Sequence, residues 1–183
     1  MNDETYISVD IETSGPIPGI YSLLSLGACV VGSPSMTFYR EFKPTTDNYI
    51  PEALAVSGLQ LSKLSLSGVE PMQGFQEFKS WIDSNCRDAK PVFVGFNAPF
   101  DWSFVNYYFH VFLKANPFGF SALDIKAYFM GLTGCTWDDT RSSRIAKILE
   151  TTAEIHHNAL QDSISQAKLF EQMKILADKR TTN

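Results

Sequence analysis

Two acidic residues, Asp10 and Glu12, stand one residue apart in the segment SVDIETSG, inside a run of β-forming residues. Successive side chains of a strand point to opposite faces, so both carboxylates project from one face and the intervening apolar residues from the other. Carboxylates this close repel each other, and the pKa of one rises unless a cation lies between them. The pair therefore predicts either a cation site or a solvated strand edge that carries two acids by chance.

A third acid, Asp101, follows the segment VFVGFNAP, which predicts a short buried strand and then the first turn of a helix. Chemistry in open α/β sheets is often carried just beyond the carboxyl end of a strand. A carboxylate near a helix N-terminus is also stabilised by the helix dipole. Taken alone, Asp101 is explained better by the dipole than by catalysis.

A histidine and a fourth acid, His157 and Asp162, lie five residues apart in HHNALQDS. A long helix is predicted to begin here, with Asp162 one turn inside it and His157 in or near the preceding loop. A loop histidine can move toward a substrate while a helical aspartate stays fixed. His156 is an alternative candidate for the same role.

The elements that must position these residues indicate one mixed sheet covered by helices. The segments YISVDI, LLSLGACVVG and MTFYREFKP predict a meander of three strands, PVFVGFN a buried fourth strand and SALDI a fifth. Apolar residues at helical spacing predict amphipathic helices in PMQGFQEFKSWIDSN and in the C-terminal segment. A meander followed by strands that alternate with helices favours an α/β fold, and no linker divides residues 1–183 into more than a single domain.

Composition limits the class of protein. The chain has 183 residues, 44% of them hydrophobic, and a formal net charge of −5, which argues against a broad basic surface for long nucleic acids. If the four acids bind metal, the remainder is close to neutral, so nucleic acid is not excluded. Three separated cysteines without a CxxC pair argue against a disulfide framework or zinc knuckle. We expect a soluble, cytoplasmic, non-membrane protein, because neither a signal peptide nor a long apolar run is evident.

The order of the motifs is more specific than any one of them. A strand with DxE, then FNxxFD after a buried strand, then HxxxxD at a terminal helix together resemble the DEDD-type 3′-to-5′ exonucleases of the histidine variant. Within these, the chain is similar to the ribonuclease T and DNA polymerase III proofreading-subunit family. The similarity extends over VDIETSGPIPGIYSLLSLGACVV and IPEALAVSGL. It implies a ribonuclease H-like α/β fold: a central mixed five-stranded sheet, antiparallel meander plus parallel strands, with helices on both faces.

The resemblance also implies chemistry. Such enzymes hydrolyse phosphodiester bonds with two divalent cations, Mg²⁺ or Mn²⁺, which favour oxygen ligands. It implies that Asp10 bridges both cations, that Glu12 and Asp162 complete the first site, and that Asp101 acts through a water molecule. His157 would then be the general base on the attacking water, because imidazole exchanges protons near neutral pH.

Substrate contacts are expected from the turn after Glu12 and from side chains around the second motif. The resemblance suggests that Glu12 also meets the terminal 3′-hydroxyl, which would make the enzyme exo-acting. Aromatic stacking contributes roughly 1–3 kcal/mol per base, although most aromatic residues at such spacing belong to the core. The candidates for substrate contact are Thr13, Ser14, Gly15, Leu23, Phe96, Asn97, Phe100 and Trp102.

Three positions depart from the family pattern. Phe96 stands where a histidine commonly precedes the asparagine of the second motif, Ser25 where ribonuclease T has a glutamate, and Pro16 where it has an aromatic residue. None of them replaces an acid expected to bind metal. The departures therefore bear on base preference and on discrimination against duplex, and not on activity.

One functional hypothesis and two alternatives follow. The first is a metal-dependent exonuclease that releases nucleoside 5′-monophosphates from the 3′ end of single-stranded or terminally unpaired DNA or RNA, with homodimer formation or association with a polymerase left open. An alternative is a non-catalytic nucleic-acid or polymerase-binding module of the same fold, which the presence of all four acids and the histidine disfavours. The other is a phosphohydrolase of very short oligonucleotides, which the same pair of metal ions would serve.

Overall fold

The computed structural model describes residues 3–151 and 156–181. Its centre is a five-stranded sheet of order β3-β2-β1-β4-β5. The first three strands pair as an antiparallel meander, and the last two add to β1 in parallel, which confirms the predicted mixed sheet. The strands are β1 (Glu4–Thr13), β2 (Leu23–Val30), β3 (Ser33–Glu41), β4 (Lys90–Gly95) and β5 (Ala122–Asp124).

Helices surround the sheet, and several begin or end at residues that favour those positions. Proline occupies the first turn of α1, α3 and α4, where its missing N–H costs no helical hydrogen bond. A π-helical turn continues α4, and a 3₁₀ turn spans Trp137–Thr140. The α-helices are α1 (Pro51–Ser57), α2 (Leu61–Ser67), α3 (Pro71–Cys86), α4 (Ala98–Tyr108), α5 (Ile125–Thr133), α6 (Ser142–Ile148) and α7 (Ala159–Thr181).

The two faces of the sheet carry separate cores. On one face Ile7, Val9 and Ile11 of β1 pack into a cluster with phenylalanines of α3 and α4. On the other, Val94 of β4 packs with Phe170 and its neighbours in α7 and with residues of α5. Burying one such side chain contributes about 1.5–3 kcal/mol. The prediction that helices cover both faces is confirmed, and Asp10 and Glu12 lie on the α7 side.

A glycine sets how closely α7 approaches the sheet. Gly27 in β2 pairs with Asp10 in β1, and a Cβ atom at this position would overlap main-chain atoms of Ala159 and Leu160. Only a residue without a side chain lets the first turn of α7 lie against β2 here. The acid in that turn, Asp162, is thereby brought to the acids of β1.

Among the described residues, no helix combines the length and the apolar character needed to cross a bilayer.

Candidate active site

A cleft of about 300 Å³ opens where β1 and β4 end beside the first turns of α4 and α7. The chain crosses this region three times, once for each sequence motif. The cleft is lined by all five residues predicted to be catalytic, namely Asp10, Glu12, Asp101, His157 and Asp162.

Three of the acids form a candidate metal centre. Asp10, Glu12 and Asp162 each offer one carboxylate oxygen, and these oxygens lie within 4.8 Å of one another. All three side chains are partly buried, so water screens their charges less than on an open surface. A donor set made only of carboxylate oxygens suits hard divalent cations such as Mg²⁺ or Mn²⁺. The residues present therefore fit the cation that the sequence implied.

The acids perturb one another strongly. Burial raises the pKa of Asp10 well above its usual range, and the charges of Asp101, Asp162 and Glu12 raise it further. Burial, followed by the charge of Asp162, raises the pKa of Glu12 to about 7. Burial also raises the pKa of Asp101 to about 8. Without a cation the cleft thus retains protons that isolated carboxyl groups would lose, and a bound cation would remove the repulsion.

The fully enclosed acid of the site is Asp101, at 5% exposure. It lies in the first turn of α4. The residue that precedes this helix, Asn97, has the left-handed conformation with φ 62°. The main-chain N–H of Ile11 donates a hydrogen bond of 3.2 Å to Asp101 Oδ1. This bond fixes Asp101 beside β1. Asp101 is a neighbour of the other three acids and is not a member of the group that their oxygens form.

The loop that carries His157 is held by Asp162. The two carboxylate oxygens of Asp162 accept hydrogen bonds from the main-chain N–H groups of His156, at 2.9 Å, and Asn158, at 3.3 Å. His157 between them has φ 51°, a left-handed conformation that few non-glycine residues adopt. Its side chain is exposed and lines the cleft. Residues 152–155, just before this loop, lie outside the described part of the chain.

The turn after Glu12 is fixed by its own hydrogen bonds. Thr13 Oγ1 donates to the carbonyl oxygen of Gly15 at 2.9 Å. Ser14 Oγ donates to the carbonyl oxygen of Asn48 at 2.7 Å and accepts from the N–H of Ser22 at 2.9 Å. Both hydroxyl groups are thus buried and engaged. Any contact of this turn with a substrate would come from its main chain.

The structure divides the other candidates for substrate contact. Asn97 and Phe100 line the cleft, and Phe100 is 36% exposed. Leu23 is fully buried, like every residue of β2, and it does not line the cleft; its contact with a substrate stays a prediction. Trp102 packs edge-on against Phe93, with ring centroids 5.3 Å apart, and contributes to the core rather than to the cleft lining.

Sequence reasoning missed Gln166, which also lines the cleft. It follows Asp162 by four residues in α7, so the two side chains share one face of the helix. Its Nε2 donates a hydrogen bond of 2.6 Å to Asp10 Oδ1. The spacing from Asp162 was the signal in the sequence that pointed to this position.

Two comparisons of the sequence with known proteins identify its family. A family model described as the 3′-5′ exoribonuclease Rv2179c-like domain matches residues 5–174. The 3′-5′ DNA exonuclease Cap18 of Escherichia coli is 50% identical over 178 residues, covering 97% of this chain and 95% of that protein.

Solved structures agree in fold. The nuclease domain of 3′hExo, a DEDDh family member bound to rAMP, has a TM-score of 0.75 at 12% identity, covering 97% of this chain and 93% of that one. E. coli Exonuclease I in complex with a dT13 oligonucleotide has a TM-score of 0.70 at 18% identity, and the match covers 98% of this chain and 43% of that one. The predicted ribonuclease H-like fold is confirmed. The chain therefore belongs to the family of the 3′-5′ exoribonuclease Rv2179c-like domain, and it is a 3′-to-5′ exonuclease.

Proposed function

We propose that the protein, acting as one exonuclease domain over residues 1–183, removes nucleoside 5′-monophosphates from the 3′ end of single-stranded or terminally unpaired DNA. The observation that carries this proposal is the group of three carboxylates within 4.8 Å, in one cleft with Asp101 and His157. DNA is chosen over RNA because the relative that is 50% identical is a DNA exonuclease, whereas the family description names a ribonuclease. RNA is a second substrate to be tested on equal terms.

The ligand assignment that we propose places Asp10 at the centre. Asp10 would be shared by the two divalent cations, Glu12 and Asp162 would complete the first site, and Asp101 would assist through a water molecule. Asp10 suits the shared position because its pKa is raised by the charges of all three other acids, which means that it lies near each of them. Bound Mg²⁺ or Mn²⁺ would supply an activated water and neutralise charge on the phosphate.

His157 is assigned the proton transfer. Its side chain is exposed at the cleft, where it can take a proton from a water molecule that approaches the phosphorus atom. Asp162 supports that role by fixing the main chain on both sides of the histidine. An imidazole is suited to general base catalysis near neutral pH, where both its protonation states are populated.

A protein of net charge −5 can act on nucleic acid without a broad basic surface, because an exonuclease needs to bind only the end of a strand. Phe100, partly exposed at the cleft, is assigned as a stacking surface for a base, and stacking contributes roughly 1–3 kcal/mol. Asn97 and the main chain of residues 13–15 are assigned to the terminal nucleotide. The five residues assigned to catalysis all line one cleft of one chain, and a homodimer or an association with a polymerase stays a prediction.

A cytoplasmic location remains part of the proposal. It rests on the sequence, in which three separated cysteines without a CxxC pair favour a reducing compartment.

Matched DNA and RNA oligonucleotides test the substrate assignment. Each is labelled at its 5′ end and incubated with Mg²⁺ or Mn²⁺, with and without EDTA. We expect a ladder that shortens from the 3′ end, faster for DNA, and that EDTA abolishes. Normal metal binding without any cleavage would favour the non-catalytic binding module, and cleavage restricted to dimers and trimers would favour the oligonucleotide phosphohydrolase. Faster cleavage of RNA would reverse the choice of substrate.

A further inference from the structure

The side chain of Gln166 joins three elements at the floor of the cleft. It projects from α7, its Nε2 donates to Asp10 Oδ1 of β1 at 2.6 Å, and its Oε1 accepts from the main-chain N–H of Phe96 at 3.0 Å. Phe96 directly follows β4 and precedes Asn97 of the second motif. One amide group thus connects the strand that carries the first motif, the helix that carries the third and the chain that leads into the second.

The chemistry of its partners fixes the orientation of this amide. A main-chain N–H can only donate, so the atom of Gln166 that faces Phe96 must be the carbonyl oxygen. The NH₂ group then faces Asp10, and because this group only donates, Asp10 Oδ1 must accept. The amide therefore holds the carboxylate with Oδ1 as an acceptor and leaves Oδ2 toward other partners.

Asp10 needs such support because its surroundings repel it. Glu12 and Asp162 each place a carboxylate oxygen within 4.8 Å of an oxygen of Asp10. Repulsion between these charges favours rotation of the Asp10 side chain away from the others. Gln166 opposes that rotation with a donor on a helix that is packed closely against the sheet at Gly27.

We propose that Gln166 is a positioning residue of the metal site, which holds the Asp10 carboxylate in the orientation that binds cations. This inference rests on the proposed role of Asp10 as a metal ligand. Residues that orient a ligand by a hydrogen bond typically change metal affinity about 10–100-fold when they are replaced. Because Gln166 also accepts a hydrogen bond from the main chain at Phe96, a shift of the second motif would change the orientation of Asp10.

Mn²⁺ binding is the readout, measured by titration calorimetry on the intact chain without substrate. Gln166→Met keeps the length of the side chain and removes both hydrogen bonds. Gln172→Met makes the same change at an exposed position of the same helix and serves as the control. We expect Gln166→Met to raise the Kd for Mn²⁺ about 10–100-fold, and Gln172→Met to leave it within twofold of the parent. A Gln166→Met protein with parental Mn²⁺ affinity and a lowered Tm would show that Gln166 only stabilises the fold, and would overturn the proposal.

A second variant covers the case in which Gln166→Met does not fold. Gln166→Asn keeps the amide but is one methylene shorter, so it cannot reach both partners; it should weaken Mn²⁺ binding at least threefold, and a smaller change would overturn the proposal. The parent and Asp10→Asn separate this inference from the proposed function. If the parent protein binds no Mn²⁺, the proposed metal site and the proposed role of Gln166 both fail. If the parent binds Mn²⁺ and Asp10→Asn does not, the metal site stands. In that case, Gln166 variants that bind Mn²⁺ like the parent refute only the role of Gln166.

Discussion

Replacing Glu12 by glutamine should stabilise the metal-free protein while it removes activity. Burial and the charge of Asp162 raise the pKa of Glu12 from 4.5 to about 7 in the folded protein. A carboxyl group whose pKa is raised by folding favours the folded state when it is protonated. Its contribution is fully present below pH 4.5 and is lost as the pH rises through about 7. At pH 8 the ionised Glu12 therefore lowers the free energy of unfolding of the parent protein, whereas the neutral side chain of Glu12→Gln does not.

The size of this effect follows from the same pKa values. Each unit of difference between the folded and unfolded pKa corresponds to about 1.4 kcal/mol, so the difference between 4.5 and about 7 gives an upper limit of about 3.5 kcal/mol for Glu12. Because Glu12 is partly exposed, solvent screening reduces this to about 1–2 kcal/mol. For a domain of this size, 1 kcal/mol shifts Tm by about 2–4 °C. Glu12→Gln should thus raise Tm by about 2–8 °C at pH 8, and leave it unchanged at pH 4.

The assay is thermal unfolding in EDTA, followed by circular dichroism from pH 4 to pH 8. Glu52→Gln is the control, because Glu52 is exposed in the first turn of α1; losing its interaction with the helix dipole should lower Tm slightly. Added Mn²⁺ should then stabilise the parent, by about 2.7 kcal/mol at one hundred times its Kd, and stabilise Glu12→Gln far less. If Glu12→Gln is no more stable than the parent at pH 8 in EDTA, the acids of the cleft do not repel one another as described.

Three further substitutions test separate parts of the site. His157→Ala should lower kcat about 10²–10⁴-fold while the Kd for Mn²⁺ stays within threefold of the parent, and His156→Ala should leave kcat nearly unchanged; an equal loss of metal affinity in His157→Ala would make His157 a ligand. Gly27→Ala should push α7 away from β2, lowering both Tm and Mn²⁺ affinity, and parental values of both would contradict the close packing described. Phe100→Ala should raise KM for oligonucleotides about 10-fold, in line with the loss of one stacked base, with little change in kcat; an unchanged KM would remove Phe100 from the substrate surface.

Much of the site could be predicted from the sequence because its geometry is local. Strand alternation alone places Asp10 and Glu12 on one face. A helix beginning after HHN places Asp162 one turn inside it, with the histidine in the loop before. Asp101 follows a strand that is parallel to β1, and parallel neighbours end at the same edge of a sheet. For each of these residues, a short stretch of chain fixes the position relative to its own element.

The remainder depends on how distant elements pack, which short-range patterns do not encode. Gln166 meets Asp10 across 156 positions of sequence, and Gly27 matters only because α7 crosses β2 at that point. Every residue of β2 is buried, Leu23 included, because a core cluster covers one face of the strand and α7 the other. The role of Asp162 in holding the His157 loop became visible only from two main-chain hydrogen bonds.

One cleavage experiment tests most directly whether the carboxylates of the cleft hold the cations that hydrolyse a strand from its 3′ end. A 5′-labelled single-stranded DNA is incubated with excess protein across a range of Mn²⁺ concentrations, using the parent and Asp10→Asn. We expect products shortened nucleotide by nucleotide from the 3′ end, formed at a rate that saturates with Mn²⁺, and a rate at least 10³-fold lower for Asp10→Asn. Cleavage by Asp10→Asn at the parental rate, or Mn²⁺-independent cleavage by the parent, would contradict this role of the carboxylates.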